Sequence, residues 1–312
     1  METRKAVDAT AAGLMLALCA IWGLQQVAIK AAAPDIAPIL QIALRSGIAA
    51  LMVALLILAR KESVSMRGGA WRPGIAVGLL FALEYLLVGE GLRYTTASHM
   101  VMFLYTAPIF AALGLHWKLP AERLGPTQWA GVALAFAGIV VAFSGSGPEP
   151  AGDMAKNPLL GDTLGLLAGM AWGATTVVVR CSRLASTPST QILLYQLVGA
   201  FVLLMLSAAI LDQIYFVPSP LALASLAFQI LLVSFASFLV WFWLLRRYLA
   251  SRLGVLSFMT PAFGIAFGAW LLDEPLEPNF LSGTLLVLTG ILLVSGSEWL
   301  RQLLAGRAGK SV

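Results

Sequence analysis

Residues 11–33, AAGLMLALCAIWGLQQVAIKAAA, form a long apolar stretch whose polar side chains are chiefly Gln25, Gln26 and Lys30. A helix of this length crosses the ~30 Å hydrocarbon core of a lipid bilayer. A secretory signal has a shorter apolar region of ~7–15 residues, so the stretch predicts a retained membrane span. A stretch of the same kind, GDTLGLLAGMAWGATTVVVR, follows at residues 161–180.

The composition of the whole chain agrees with this membrane interpretation. Of 312 residues, 60% are hydrophobic and 11% are charged, whereas soluble proteins have ~45–50% and ~25%. A water-soluble fold of this composition would expose apolar surface that it could not cover. Ten spans of ~22 residues account for ~220 positions, which leaves no room for a sizeable soluble domain. The predicted spans are 11–33, 37–59, 73–92, 95–116, 126–144, 161–180, 190–211, 221–245, 253–272 and 280–298.

The basic residues predict the orientation of these spans. An even number of spans puts both chain ends on one side, and if that side is the cytoplasm, 16 of the 20 Lys and Arg residues fall there. The other four are Lys30, Arg93 and Lys156 on the outer side and Arg45 within a span. This split obeys the positive-inside rule and predicts cytoplasmic tails at 1–10 and 299–312. The net charge of +5 then follows from topology, so no nucleic-acid partner is expected.

The chain repeats itself at a spacing near 150 residues. Tryptophan, proline and glutamate recur in the same order, which a random apolar chain does not produce, so the pattern predicts an internal duplication. The matched pairs are Trp22-Gly23 with Trp172-Gly173, Lys30 with Arg180, Pro108 with Pro261, and Glu122 with Glu274.

Each copy contains five predicted spans, an odd number, so the second copy enters the membrane upside down relative to the first. Inverted repeats are typical of transporters, whose halves exchange conformations, although duplication kept only for packing is an alternative. The sequence therefore predicts an all-α polytopic membrane protein with ten transmembrane helices, built as two inverted five-helix repeats around a central cavity. The first repeat covers 11–144, an external linker covers 145–160, and the second repeat covers 161–298.

Two blocks of sequence resemble the repeat of a known family. The first runs from Leu92-Arg93-Tyr94-Thr95-Thr96-Ala97-Ser98 through Ala107-Pro108 to Ala121-Glu122-Arg123-Leu124, and the second from Arg247-Tyr248-Leu249-Ala250-Ser251 through Thr260-Pro261 to Asp273-Glu274-Pro275-Leu276. Both resemble the EamA repeat of the drug/metabolite transporter superfamily. The resemblance implies ten helices, cytoplasmic termini, a central cavity and movement of small metabolites across the bacterial inner membrane. Within that superfamily the chain resembles bacterial exporters of amino acids, including aromatic ones.

Polar and aromatic groups inside the spans are the candidate substrate contacts, because a charge at the centre of a span costs ~2.5–3.5 kcal/mol and needs a reason to be there. Flat aromatic walls and amide groups suit a small organic ligand. The candidates are Trp22, Gln25, Gln26, Glu84, Tyr85, His99, Tyr105, Trp172, Thr176 and Tyr195.

Each candidate also has a structural interpretation. The tryptophans could pack in the core, and the glutamines could form hydrogen bonds between helices. Glu84 could bind a substrate ammonium group, carry a coupling proton, or pair with Arg45. His99 could titrate near neutral pH or simply form a hydrogen bond within the bundle. Pro108 and Pro261 lie inside predicted spans, where they could be bending points for gating or fixed kinks.

Other functional classes find little support in the sequence. There is no HExxH motif, no cluster of Cys and His, and no phosphate-binding loop followed by a helix, so we expect no metal, no cofactor and no enzymatic activity. We predict a secondary transporter that exports neutral or aromatic amino acids by alternating access. The alternatives are an exporter of another metabolite or drug, a membrane enzyme, and a non-transporting sensor or assembly subunit. Substrate identity, coupling ion, transport direction and oligomeric state stay open at this level.

Overall fold

The computed structural model describes residues 8–62, 69–144, 157–248, 253 and 256–308. Most of the predicted N-terminal tail, residues 145–156 of the predicted linker, the repeat residues Ala250-Ser251 and the last four residues lie outside these ranges. Every regular element in the described ranges is a helix, and eight helices are long and apolar enough to cross a membrane. The prediction of an all-α polytopic membrane protein is thereby confirmed.

Twelve α-helices follow one another along the described part of the chain. They are α1 Ala9–Ala32, α2 Pro38–Ala59, α3 Trp71–Gly91, α4 Ala97–Leu104, α5 Ala107–Lys118, α6 Pro126–Phe143, α7 Pro158–Cys181, α8 Ser189–Ile210, α9 Pro220–Phe228, α10 Ser237–Arg247, α11 Met259–Leu271 and α12 Pro278–Ala308. Short 3₁₀ turns lie at Pro120–Glu122 and Arg183–Ser186, and a π-helical segment, Gln229–Ala236, joins α9 to α10.

Local sequence explains where many of these helices begin. Helices α2, α6, α7, α9 and α12 all have proline as their first residue. Proline is suited to this position because its missing N–H would have no partner inside the helix and its φ angle is already helical. Helix α1 begins with a different cap, since the Asp8 carboxylate accepts a hydrogen bond from the Ala11 N–H at 2.8 Å.

The eight membrane-length helical segments coincide with the first eight predicted spans, where α4 with α5 (Ala97–Lys118) and α9 with the π-helical segment and the start of α10 (Pro220–Trp241) each count as one segment. The fourth span is divided into α4 and α5 by Tyr105 and Thr106, just before Pro108. The ninth and tenth predicted spans contain α11 and the apolar section Pro278–Val294 of α12, which are shorter. Ten complete membrane crossings therefore remain a prediction.

Glycines bring α6 and α12 into backbone contact. A Cβ built on Gly131 would lie 2.7 Å from the carbonyl oxygen of Gly290, and one built on Gly138 would lie 2.7 Å from that of Gly283. Only glycine permits so close an approach. Gly283 and Gly290 follow Gly131 and Gly138 by 152 residues. Gly131 thus contacts Gly290, the counterpart of Gly138, and Gly138 contacts Gly283, the counterpart of Gly131.

A second pair of glycine contacts shows the same exchange between the halves. Gly23 of α1 packs against α11, whereas its repeat counterpart Gly173 of α7 packs against α5. Each contacted residue of α11 follows its counterpart in α5 by 153 positions. The contacted residues are Thr260, Phe263 and Gly264 for Gly23, and Ala107, Phe110 and Ala111 for Gly173.

Hydrogen bonds connect segments of the two halves at each end of the bundle. We call the end that contains the start of α1 the Asp8 end and the end where α1 finishes the Lys30 end. At the Asp8 end, the Tyr248 hydroxyl donates to the Asp8 carboxylate at 2.9 Å. At the Lys30 end, the Tyr215 hydroxyl donates to the carbonyl oxygen of Ala33 at 2.7 Å.

Candidate functional site

A cavity of about 320 Å³ lies inside the bundle, beside the middle turns of α1, α2 and α3. Helices α7, α8 and α10, the π-helical segment, the end of α4 with Tyr105, and Ser257 also contribute to its wall. Small-molecule sites usually have volumes of ~300–1,000 Å³, so this cavity suits a small ligand. Seven of the ten candidate residues lie in the wall: Trp22, Gln25, Gln26, Glu84, Tyr85, Tyr105 and Trp172.

The described part of the cavity wall contains two charged side chains, Arg45 and Glu84. Both are almost fully buried, with exposed fractions of 3% and 4%. The Arg45 guanidinium lies 4.5 Å from the centre of the Tyr85 ring, next in sequence to Glu84. Its Nη1 donates a long hydrogen bond, 3.4 Å, to Oε1 of Gln229. A basic and an acidic side chain therefore lie in the wall of the same small cavity.

A buried amide network orients Gln229 toward Arg45. The Gln229 Nε2 donates to Oε1 of Gln41 at 2.9 Å and to the Ser225 hydroxyl at 3.0 Å. Gln41 is in turn fixed because its Nε2 donates to the carbonyl oxygen of Ile36 at 3.0 Å. With both amide hydrogens of Gln229 used in this way, its oxygen is left to accept from Arg45.

Aromatic rings form the apolar part of the wall. The rings of Trp172 and Tyr105 meet edge to face, with centroids 5.1 Å apart and planes at 88°. Trp22 meets Trp241 in the same way at 5.7 Å, and its indole N–H donates to the Ser237 hydroxyl at 3.0 Å. The two repeat-related tryptophans thus both line the cavity, and hydrogen bonding or ring contacts hold each in place.

Two buried acceptors in the wall have no hydrogen-bond donor in the described part of the protein. They are Oε2 of Glu84 and Oε1 of Gln26, the latter in a side chain that is 2% exposed. Buried polar groups normally have partners, so two unpaired acceptors on residues of one cavity wall are candidates to accept hydrogen bonds from a ligand or from ordered water.

The three other candidates lie outside the cavity wall. His99 Nδ1 lies 2.9 Å from Oδ2 of Asp162, and its ring stacks on Phe280 with centroids 3.9 Å apart. The Thr176 hydroxyl donates to the Trp172 carbonyl oxygen within its own helix at 3.3 Å. The Tyr195 hydroxyl accepts a hydrogen bond from Gln191. His99 thus pairs with Asp162 inside the bundle, away from the described cavity wall.

The two repeat-related prolines lie in the first turns of helices. Pro108 is the second residue of α5 and Pro261 the third residue of α11. In a first turn the missing N–H of proline costs no intrahelical hydrogen bond. The break before Pro108 is where Tyr105 enters the cavity wall. Interrupted helices often line binding sites in membrane transporters.

At the Lys30 end, Glu274 joins the two halves of the chain. Its carboxylate accepts hydrogen bonds from the Ala97 N–H at 2.6 Å, the Ser98 N–H at 2.9 Å and the Ser98 hydroxyl at 2.6 Å. These N–H groups begin α4, where the helix dipole also favours a negative charge. Lys30 reaches the same segment and donates to the carbonyl oxygens of Leu92 and Thr95.

The repeat counterparts of Glu274 and Lys30 behave differently. Glu122 and Arg180 form an ion pair with each other at the Asp8 end. Their side chains are 33% and 56% exposed, whereas Glu274 is 5% exposed. The two ends of the bundle are therefore not in equivalent arrangements.

Several residues of the cavity wall escaped the sequence analysis. Ser234, Phe238 and Trp241 lie at i, i+4 and i+7, and this spacing places them on one helix face. That pattern could have identified them. Gln196 of α8 had no comparable signal, because its place in the wall depends on how α8 packs against α2 and α3.

A helical bundle with eight membrane-length helices and a ligand-sized, partly charged cavity defines a polytopic membrane protein that can hold a small molecule inside the bilayer. The model of the EamA-like transporter family matches residues 9–144 and again residues 159–296. The chain belongs to the EamA-like transporter family, as the sequence resemblance indicated.

Relatives in several organisms match the chain over nearly their whole length. "Uncharacterized protein PA1977" of Pseudomonas aeruginosa is 30% identical, over 90% of this chain and 92% of its own. "Uncharacterized transporter YoaV" of Bacillus subtilis is 26% identical, over 89% and 94%. A "Probable amino-acid metabolite efflux pump" of Escherichia coli is 27% identical, over 94% and 97%. A protein crystal structure with 22% sequence identity superposes with a TM-score of 0.61 and covers 91% of this chain and 97% of its own, so the two share a fold.

Proposed function

We propose that the protein is a secondary transporter that exports neutral amino acids, aromatic ones included, across the bacterial inner membrane by alternating access. The central cavity carries this proposal, because it combines aromatic walls with one basic and one acidic side chain in a chain of a transporter family. The E. coli relative, whose name refers to amino-acid metabolite efflux, supports the substrate class. A membrane enzyme is less well supported, since the described cavity wall offers Glu84 and no second carboxylate.

The architecture that we propose is ten membrane spans in two inverted repeats, 11–144 and 161–298. The reciprocal glycine contacts support it. A two-fold axis between the repeats requires that if a residue of one copy meets a residue of the other, their counterparts also meet. In α6, Gly131 contacts the α12 counterpart of Gly138, and Gly138 contacts the α12 counterpart of Gly131. In the same way, α1 packs on α11 through Gly23, and its counterpart α7 packs on α5 through Gly173.

Alternating access is supported by the unequal environments of Glu274 and Glu122. Glu274 ties the two halves together at the Lys30 end, while Glu122 forms an exposed ion pair at the Asp8 end. We infer that the Lys30 end is closed, that the Asp8 end is the open one, and that these roles exchange in the opposite state. By the positive-inside rule the Asp8 end faces the cytoplasm, so this state would take up cytoplasmic substrate.

The decisive experiment is transport into sealed liposomes that contain the purified protein. Preloaded unlabelled phenylalanine or leucine should drive uptake of the labelled compound well above that of protein-free liposomes. A run with and without a pH gradient separates proton exchange from passive facilitation. Nucleosides and cationic dyes in the same panel test the drug and metabolite alternatives.

A matched pair of variants connects transport with the cavity. Glu84→Gln should abolish amino-acid transport and leave the protein folded, as shown by an unchanged elution volume in gel filtration. Glu277→Gln, a carboxyl change in the α11–α12 connection outside the cavity, should leave transport intact. A panel in which no compound moves would overturn the proposal and favour a sensor or assembly subunit.

A further inference from the structure

We propose that the cavity binds both charged groups of a zwitterion, with the substrate ammonium group between Glu84 and Gln26 and the substrate carboxylate on Arg45. This inference rests on the proposed transport function and adds how the site selects its substrate. It predicts that a free ammonium group and a free carboxylate on the same molecule are both required.

The ammonium position follows from the two unpaired acceptors. Oε2 of Glu84 and Oε1 of Gln26 are buried in the wall of one cavity, and each lacks a donor in the described part of the protein. An ammonium group carries three donors on one atom and could therefore satisfy both acceptors together. A hydroxyl group has a single donor and could satisfy only one of them.

The carboxylate position follows from the surroundings of Arg45. The groups in direct contact with its guanidinium in the described structure, the Gln229 amide and the Tyr85 side chain, are neutral, and Glu84 attracts it from a longer distance. Glu84 forms no ion pair with it within 4.0 Å in the described structure. A guanidinium has five donors in a planar fork that matches a carboxylate, so a substrate carboxylate would complete its hydrogen bonding.

The two positions suit an α-amino acid in particular. Arg45 and Glu84 line the same small cavity and attract each other electrostatically, so the two poles of the site are near each other. The ammonium and carboxylate groups of an α-amino acid are bonded to one carbon. Once a bound ammonium group stabilises the ionised form of Glu84, the charges of Glu84 and Arg45 cancel, so a zwitterion leaves the buried site neutral, whereas a pure anion provides no cation for Glu84.

The substrate side chain would then face the aromatic part of the wall. Trp22, Trp172 and Tyr105 offer apolar faces beside the charged pair. Aromatic side chains make favourable edge-to-face and stacked contacts with such rings. The site should therefore prefer phenylalanine to glycine or alanine.

Direct binding measurements on the full-length purified protein test the inference. The ligands are phenylalanine, phenethylamine, which lacks the carboxylate, and 3-phenylpropanoate, which lacks the ammonium group. Phenylalanine should bind at least about tenfold more tightly than either analogue, since loss of a ligand group leaves a buried partner unpaired. Equal binding of phenylalanine and one analogue would overturn the inference, because the protein would then not recognise the charged group that the analogue lacks.

Variants assign each pole to its residue. Glu84→Gln should remove the preference for phenylalanine over 3-phenylpropanoate, and Arg45→Met should remove its preference over phenethylamine. If the residue had only a structural role, its substitution would weaken the binding of all three ligands by the same factor. That result would contradict the assignment. Arg72→Met, at an exposed position, and Glu277→Gln should leave both preferences unchanged.

The unaltered protein decides the main point even if a variant fails to fold, because the analogue series needs no substitution. If phenylalanine is transported in liposomes while both analogues compete equally well with it, the inference fails and the proposed function stands. If no member of the series binds, the inference fails, and uptake of other metabolites into liposomes then decides whether the protein transports at all.

Discussion

Glu274 and Ser98, 176 residues apart in the chain, are joined by two hydrogen bonds to one carboxylate oxygen, one from the backbone N–H and one from the hydroxyl. Gly268 makes this junction possible, because any larger residue there would collide with both side chains. The contact connects the second half of the protein to the start of α4 in the first half. It is a specific, removable link at the Lys30 end.

Removing the charge of Glu274 should loosen that link. Glu274→Gln keeps one acceptor oxygen but loses the charge and the second acceptor oxygen, and a hydrogen bond to a charged group contributes ~1.5–3 kcal/mol, so we expect a stability loss of about 2–3 kcal/mol. The amides of Ala97 and Ser98 should exchange with deuterium at least about tenfold faster, measured by mass spectrometry. Unchanged exchange, with Glu277→Gln as the reference, would show that the junction does not hold the Lys30 end closed.

Substitution of Glu122, the repeat counterpart of Glu274, should affect transport more than stability. Glu122→Gln breaks an exposed ion pair with Arg180, and such pairs contribute ~0–1 kcal/mol, so thermal stability in detergent should change little. Transport should nevertheless slow severalfold, because Glu122 is proposed to close the Asp8 end in the opposite state. Liposome exchange rates give the measurement. A variant that is stable and transports at the normal rate would exclude this role for Glu122.

The crossing of α6 and α12 should not tolerate a side chain. A Cβ at position 138 would lie 2.7 Å from backbone atoms of α12, so Gly138→Val must push the helices apart or misfold the protein. We expect a lower melting temperature or aggregation, read by fluorescence-detected gel filtration. Gly13→Ala is the matched control, because a Cβ there has no neighbour within 4 Å. Similar behaviour of the two variants would mean that close packing of α6 on α12 is dispensable.

Truncating a cavity tryptophan should weaken substrate binding. Trp172→Ala removes the ring that meets Tyr105 and should raise the Kd for phenylalanine by up to about tenfold, since an aromatic pair contributes ~0.5–1.5 kcal/mol beyond the area that it buries. Calorimetric titration would measure the change. Trp270, which is 75% exposed on the surface of the bundle, provides the comparison. Trp270→Ala should bind phenylalanine normally, and an equal loss in both variants would place the substrate elsewhere.

The sequence predicted the membrane-spanning helices because each span requires a long run of apolar residues that are consecutive in the chain. The length of apolar runs such as 11–33 is enough to place a span, and proline marks the start of several helices. Trp22 and Trp172 could be paired from their spacing alone, and both lie in the cavity wall. These features depend on residues near one another in the chain or on the repeat.

What the sequence could not predict depends on contacts between distant segments. The hydrogen bond between Arg45 and Gln229 joins residues 184 positions apart, and it decides that Arg45 faces Gln229 and the cavity. His99 was a reasonable cavity candidate from its position in the fourth predicted span. Its ring instead meets Asp162 and Phe280, which the order of the chain did not reveal. The π-helical turn in the eighth span likewise has no local signature.

The different exposure of the two cysteines allows chemical labelling to show on which side of the membrane Cys181 lies. Cys181 is exposed and follows Arg180 in sequence, while Cys19 is buried and its thiol donates to the Leu256 carbonyl oxygen at 3.3 Å. A membrane-impermeant maleimide applied to intact cells or to inverted vesicles would therefore report on one thiol without any engineering. The fluorescent tag left behind would sit beside the Glu122–Arg180 pair, where its emission could follow the opening and closing of that mouth in real time.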